Sequence, residues 1–113
     1  MANISSKDLS EQLRLITLSE RMDIQGTEKI ELTLTALVRG WPNVVVDLTE
    51  VTFLSSMGIR ALIVNAKALK NSGGKLVLVL GDNAAAERTL KVTCADALMP
   101  MFKTFDEAAA SLA

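Results

Sequence analysis

The chain has 113 residues, half of them apolar, which is enough for one packed domain and too little for two. Its 12 basic and 13 acidic residues leave a net charge of −1, which argues against nucleic acid or an anionic membrane as the main partner. With no histidine and one cysteine, Cys94, the composition excludes a His-based triad, a His-ligated metal, an intrachain disulfide and a Cys-rich metal cluster.

The first residues lack a charged segment followed by an apolar run, so no leader is expected, and a lone cysteine then fits a reducing cytoplasm. The strongest apolar runs, such as Leu76–Leu80, are too short to cross a bilayer, so no direct membrane insertion is expected. Asp8–Arg14 reads equally as a strand or as coil. Leu13–Leu18 alternates weakly and predicts an early strand. Ile30, Leu34, Leu37 and Val38 recur at helical spacing, which predicts a first helix over Gly26–Val38. Gly40-Trp41-Pro42-Asn43 is turn chemistry, with Trp41 expected as a hydrophobic lid. Val44–Val46 is β-branched throughout, as suits a strand buried on both faces.

A short turn then carries two adjacent serines, Ser55 and Ser56, into the clearest helix of the chain. Its Ile59, Leu62, Ile63, Ala66 and Leu69 form one apolar stripe, and Asn71-Ser72-Gly73-Gly74 ends it. Lys75–Leu80 predicts a second buried strand, broken at Gly81-Asp82-Asn83. Ala84–Leu98 predicts a third helix with Leu90, Cys94, Ala97 and Leu98 on its core side, so Cys94 is expected to be core. Met101–Phe105 predicts a last short strand, and Asp106 the N-cap of a terminal helix over Glu107–Leu112. Strands alternating with helices imply crossovers and a largely parallel sheet, hence a single α/β domain over residues 1–113.

The serines are the chemical focus. Serine at a helix start satisfies amides that lack intrahelical partners, whatever the function. The same amides and the helix dipole would also accommodate a phosphoryl group on a serine hydroxyl. On the following helix Met57, Arg60, Val64 and Lys67 lie opposite the apolar stripe. Methionine and valine between two cations form a candidate contact face for a partner with acidic and apolar groups. Asp47 has no companion ligands at metal-binding spacing, so a structural role is expected. Gly73-Gly74 lacks the lysine and spacing of a phosphate-binding loop, and no cofactor is expected. A serine-nucleophile hydrolase has no histidine to work with and no evident lysine base near the serines.

The segment Val44-Val45-Val46-Asp47-Leu48-Thr49-Glu50-Val51-Thr52-Phe53-Leu54-Ser55-Ser56-Met57-Gly58-Ile59 resembles the signature of the STAS domain, found in sulfate transporters and anti-sigma factor antagonists. Asp47, Leu48, Val51, Phe53, Ser56 and Gly58 fall on the signature positions. The resemblance implies a STAS fold, a mixed sheet of four to five strands with helices mainly on one side. It places the family's phosphoacceptor at Ser56, with Ser55 the alternative and standing where the family usually has aspartate. Upstream, Leu18-Ser19-Glu20-Arg21-Met22-Asp23 is similar to the family's segment at the end of the early strand, with Glu20 in place of its usual glycine. Asp23 is thus a candidate neighbour of the acceptor, or else a helix cap or turn residue. The implied partner-binding set is Asp23, Ser55, Met57, Gly58, Arg60, Val64 and Lys67.

In function, the resemblance implies an anti-sigma factor antagonist that is no enzyme itself. Its unphosphorylated form would bind an anti-sigma factor serine kinase, and a serine phosphatase would reset it. A monomer or weak dimer is expected. The alternative reading is a STAS scaffold or transport-complex subunit that is never phosphorylated.

Overall fold

The structure is a computed structural model and describes residues 2–113. Its strands are β1 (Asn3–Asp8), β2 (Leu13–Met22), β3 (Asn43–Leu54), β4 (Lys75–Val79) and β5 (Met101–Phe102). Its helices are α1 (Ile24–Val38), α2 (Ser56–Asn71), α3 (Ala84–Val92) and α4 (Phe105–Leu112), with a short 3₁₀ turn at Ala95–Ala97. The five strands lie in the order β1-β2-β3-β4-β5. β1 runs antiparallel to β2, and all later pairs are parallel.

That order explains the layering. Each crossover from β2 to β5 steps in one direction, and parallel crossovers are right-handed, so α1, α2 and α3 fall on one face. α4 follows the last strand and has no crossover to make. It covers the other face, where Val45, Val77, Val79 and Ala108 form a smaller core. Successive strand residues point to opposite faces, so Val44, Val46 and Leu48 enter the three-helix core while Val45 enters the smaller one. The expected burial of Val44–Val46 on both faces is met, each being 0% exposed.

Several expectations need correction. The undecided stretch resolves as a turn after β1, which ends at Asp8. β1 is an edge strand with only Ile4 half-buried, so it carries no apolar alternation to be read. The third helix ends at Val92, not Leu98. The Thr93 hydroxyl donates to the carbonyls of Thr89 (3.1 Å) and Leu90 (3.0 Å). Cys94 then turns left-handed at φ 60°. This break shifts the phase, so Ala95 and Met99 fill the core and Cys94 is exposed rather than buried. The terminal helix begins at Phe105 because Thr104 and Glu107 form a reciprocal capping box, which displaces Asp106 from the cap. Trp41 is half-buried against the core, with the Arg14 guanidinium 4.3 Å above its ring.

Two irregularities shape the end of the sheet that carries the serines. β3 gives one extra residue between Asp47 and Glu50, opposite Thr17 and Ser19, and another between Val51 and Phe53, opposite Glu20 and Arg21. Such bulges bend a strand and re-aim the residues beyond them. At the first, the Asp47 carboxylate accepts from the Thr49 amide at 2.8 Å, a local turn that gives Asp47 its structural role. Glu20 adopts φ 66°, a left-handed conformation at the position where the resemblance expects glycine.

Candidate functional site

The site is built where β2 and β3 hand over to α1 and α2. Asp23 caps α1, its Oδ1 accepting from the Gly26 amide at 2.8 Å. Ser55 caps α2, its Oγ accepting from the Gly58 amide at 3.2 Å. One backbone atom ties the two starts together. The Met22 carbonyl accepts from Ser55 Oγ at 2.6 Å, from the Ser55 amide at 3.0 Å and from the buried Thr27 hydroxyl at 3.4 Å. The Ser55 hydroxyl is therefore both donor and acceptor in fixed bonds, and its residue is half-buried.

Ser56 differs. It is the first helical residue of α2, it is exposed, and none of the hydrogen bonds among the described residues uses its hydroxyl. The Ser56 and Met57 amides precede the first intrahelical bond, since Ile59 is the first residue to donate back, to Ser55 at 3.0 Å. No acidic side chain lies in the first turn of α2, and the whole helix carries Arg60, Lys67 and Lys70 with no carboxylate. An anion on the Ser56 oxygen would meet free amides, the positive end of the helix dipole and, one turn on, Arg60.

The other candidates fall as follows. Arg60, Val64 and Lys67 are exposed on α2, with Val64 at 54%, and Met57 is half-buried beside them. Gly58 faces inward: a Cβ there would lie 3.0 Å from Leu54 Cδ1 and 3.2 Å from the Met22 carbonyl oxygen. It is a packing position rather than a contact surface. Asp23 serves as a helix cap at the same end of the sheet as Ser56. Its carboxyl is held below the usual value of 3.8, chiefly by the Gly26 amide and further by Arg21, against the opposing effect of desolvation.

Three residues at this end were given no contact role by the sequence pattern. The Arg21 guanidinium sits 4.9 Å over the Phe53 ring, and its Nε lies 3.3 Å from Asp23 Oδ2. Phe53 is 45% exposed, and Ile24, the first residue of α1, is 58% exposed. Phe53 and Arg21 are paired across the β2–β3 ladder, a register that the bulges decide and the sequence does not display. Asn83, read only as a strand break, caps α3 through Oδ1 and donates from Nδ2 to the carbonyls of Leu48 (2.9 Å) and Val51 (2.8 Å). It clamps the bulged part of β3 that leads to the serines. Among the described residues no His, Cys, Asp and Glu group could hold a metal ion, and no helix is long and apolar enough to cross a membrane.

Comparison with known proteins agrees with this architecture. A crystal structure of an anti-sigma factor antagonist from Mycobacterium paratuberculosis superposes with a TM-score of 0.88 at 24% identity, covering 99% of this chain and 94% of that one. An anti-sigma-factor antagonist (STAS) domain protein from Planctomyces limnophilus gives a TM-score of 0.85 at 28% identity over 100% and 99% of the two chains. The Bacillus cell fate determinant SpoIIAA in its phosphorylated form gives 0.73 at 13% identity over 98% and 100%. A search of the curated proteins finds no match. The family model described as the STAS domain matches residues 6–108, nearly the whole chain, from within β1 to within α4. The chain belongs to the STAS domain family.

Proposed function

We propose that this protein is an anti-sigma factor antagonist of the cytoplasm, switched off by phosphorylation of Ser56. One observation carries the reading: at the start of α2 the capping hydroxyl and the available hydroxyl belong to different residues. Ser55 is held by Met22 and Gly58, so Ser56 can be modified without removing the cap. The unphosphorylated form binds an anti-sigma factor serine kinase through Met57, Arg60, Val64 and Lys67, with Arg21, Ile24 and Phe53 extending the face. The kinase moves the γ-phosphoryl group of ATP to Ser56 Oγ, which loses its proton, and ADP leaves. A serine phosphatase returns the hydroxyl by hydrolysis to inorganic phosphate. The domain is the substrate in this cycle, not an enzyme.

The charge arithmetic favours a switch. The helix from Ser56 to Asn71 carries three cations and no carboxylate, which suits an acidic partner. A phosphoryl group adds about −1.5 to −2 charges and cancels much of that excess. A loss of ~3 kcal/mol at the interface weakens binding more than a hundredfold. The fold need not change, because the anion lands among free amides.

The test uses two variants of one residue. Ser56→Ala should bind the purified anti-sigma partner like the parent protein, and Ser56→Asp much more weakly, in titration calorimetry. Arg60→Glu and Lys67→Glu should weaken binding while stability stays within about 0.5 kcal/mol. Equal affinities for the Ala and Asp variants would overturn the switch and favour a scaffold that is never phosphorylated.

A further inference from the structure

The other end of α2 carries a cleft that the proposed switch does not use. Lys70 lies 14 residues beyond Ser56, or about 21 Å along the helix at 1.5 Å per residue. The cleft has a volume of about 400 Å³ and lies between the last turns of α2, the first residues of β4 and the segment entering β5. Its size falls within the usual range for small-molecule sites.

A defect in the sheet creates it. The Lys75 amide donates to Pro42 at 2.9 Å, on the β3 side of β4. Leu78 and Leu80 donate the other way, to Pro100 and Phe102, each at 2.9 Å. Peptide groups alternate along a parallel ladder, so Leu76 also faces the β5 side. Yet β4 pairs with β5 only at Leu78 and Val79. The incoming chain joins the sheet at Pro100, which has no N–H to offer the Leu76 carbonyl. Leu76, though only 4% exposed, thus presents a peptide group to the cleft with no strand partner. Buried backbone groups of this kind are ordinarily satisfied by something.

The walls and the charged groups define the class of occupant. Ala66, Leu76, Leu98 and Pro100 make an apolar lining, and Lys70 and Lys75 stand on it. Neither lysine is in an ion pair among the described residues. Strand addition by a peptide needs a free edge several residues long. Here β5 closes the edge from Leu78 onward, which leaves room for a small molecule only. We infer that this cleft binds a small aliphatic carboxylate, with its anionic head accepting from the Leu76 amide between Lys70 and Lys75 and its chain along Ala66, Leu98 and Pro100.

The test is a titration of the ¹⁵N-labelled full chain with octanoate, followed by amide shifts, with 1-octanol and acetate as controls. Octanoate should move the Leu76, Val77 and Leu98 amides saturably, and more tightly than either control. Each of Lys70→Gln and Lys75→Gln should weaken it about two- to fivefold, as for exposed charge pairs. Leu98→Trp should fill the cleft and abolish the shifts, while unchanged Val45 and Ala108 amides report an intact fold. The inference is overturned if those amides do not move, if octanol binds as well as octanoate, or if the lysine variants bind like the parent.

Discussion

The starts of α1 and α2 are built to one plan and differ in a single respect. Each has a short polar cap, Asp23 or Ser55, accepting from the amide of a glycine three residues on, Gly26 or Gly58. Both glycines are pressed against the end of β2. At α1 the cap is a carboxylate held by Arg21, and the next residue is the apolar Ile24. At α2 the cap is a neutral hydroxyl tied to Met22, and the next residue is a second, exposed hydroxyl. An anion would be repelled by the first start and accepted by the second. A bonded cap and an available hydroxyl thus fall on adjacent residues, and only α2 has both.

The largest expected effect separates the two glycines. A Cβ on Gly26 would lie 2.1 Å from the Arg21 carbonyl oxygen, which is backbone and cannot step aside. Gly26→Ala should destabilise by about 3 kcal/mol. At Gly58 the nearest atom, 3.0 Å away, is a leucine methyl that can shift, the Met22 carbonyl oxygen at 3.2 Å need give only a few tenths of an ångström, and alanine also favours helix. Gly58→Ala should stay within about 1 kcal/mol of the parent. Urea unfolding of both variants decides it, and similar midpoints would break the comparison.

A second pair separates the bonded hydroxyl of Ser55 from the exposed hydroxyl of Ser56. Ser55→Ala should cost about 1 kcal/mol, because the Gly58 amide loses its acceptor. Ser56→Ala, which removes no bond among the described residues, should stay within about 0.5 kcal/mol. Thermal melts would show the order, and a larger loss at Ser56 would reverse the two roles.

The approach to α1 holds strain that the approach to α2 lacks. Glu20 is left-handed at φ 66°, and its carboxylate accepts from Asn3 Nδ2 at 2.7 Å. Glu20→Gly relieves the backbone strain and gives up exposed side-chain contacts, the Asn3 bond among them, so it should stabilise by about 0.5 kcal/mol. A lower unfolding midpoint for this variant would show that the Asn3 contact outweighs the strain.

The smallest effect is a pH response confined to α1. The Asp23 carboxyl has its folded value depressed below 3.8, so its contribution is present above that value and is lost as pH falls through the folded value. The Gly26 amide proton should follow a titration with a midpoint below 3.8. The Gly58 amide, bound to a hydroxyl, should show no such step. NMR shifts between neutral and acid pH would reveal an equal response at both, which would erase the difference between the two caps.

Periodicity and turn chemistry in the sequence determined the α/β class, the buried strand at Val44–Val46 and the clear helix after the serines. These are local patterns, and local patterns survive without knowledge of neighbours. The tertiary structure decided the features that depend on neighbours. β1 is polar and exists through its pairing with β2, so nothing periodic announces it. The left-handed Cys94 ends α3 and moves the core to Ala95 and Met99, which a uniform helical count cannot foresee. The two bulges bring Arg21 opposite Phe53, and the Met22 carbonyl gathers Ser55 and Thr27 from distant parts of the chain. Most of all, the sequence shows two neighbouring serines of the same chemistry. Only the fold makes one a bonded cap and leaves the other exposed, because a hydroxyl's availability depends on which groups packing brings within reach.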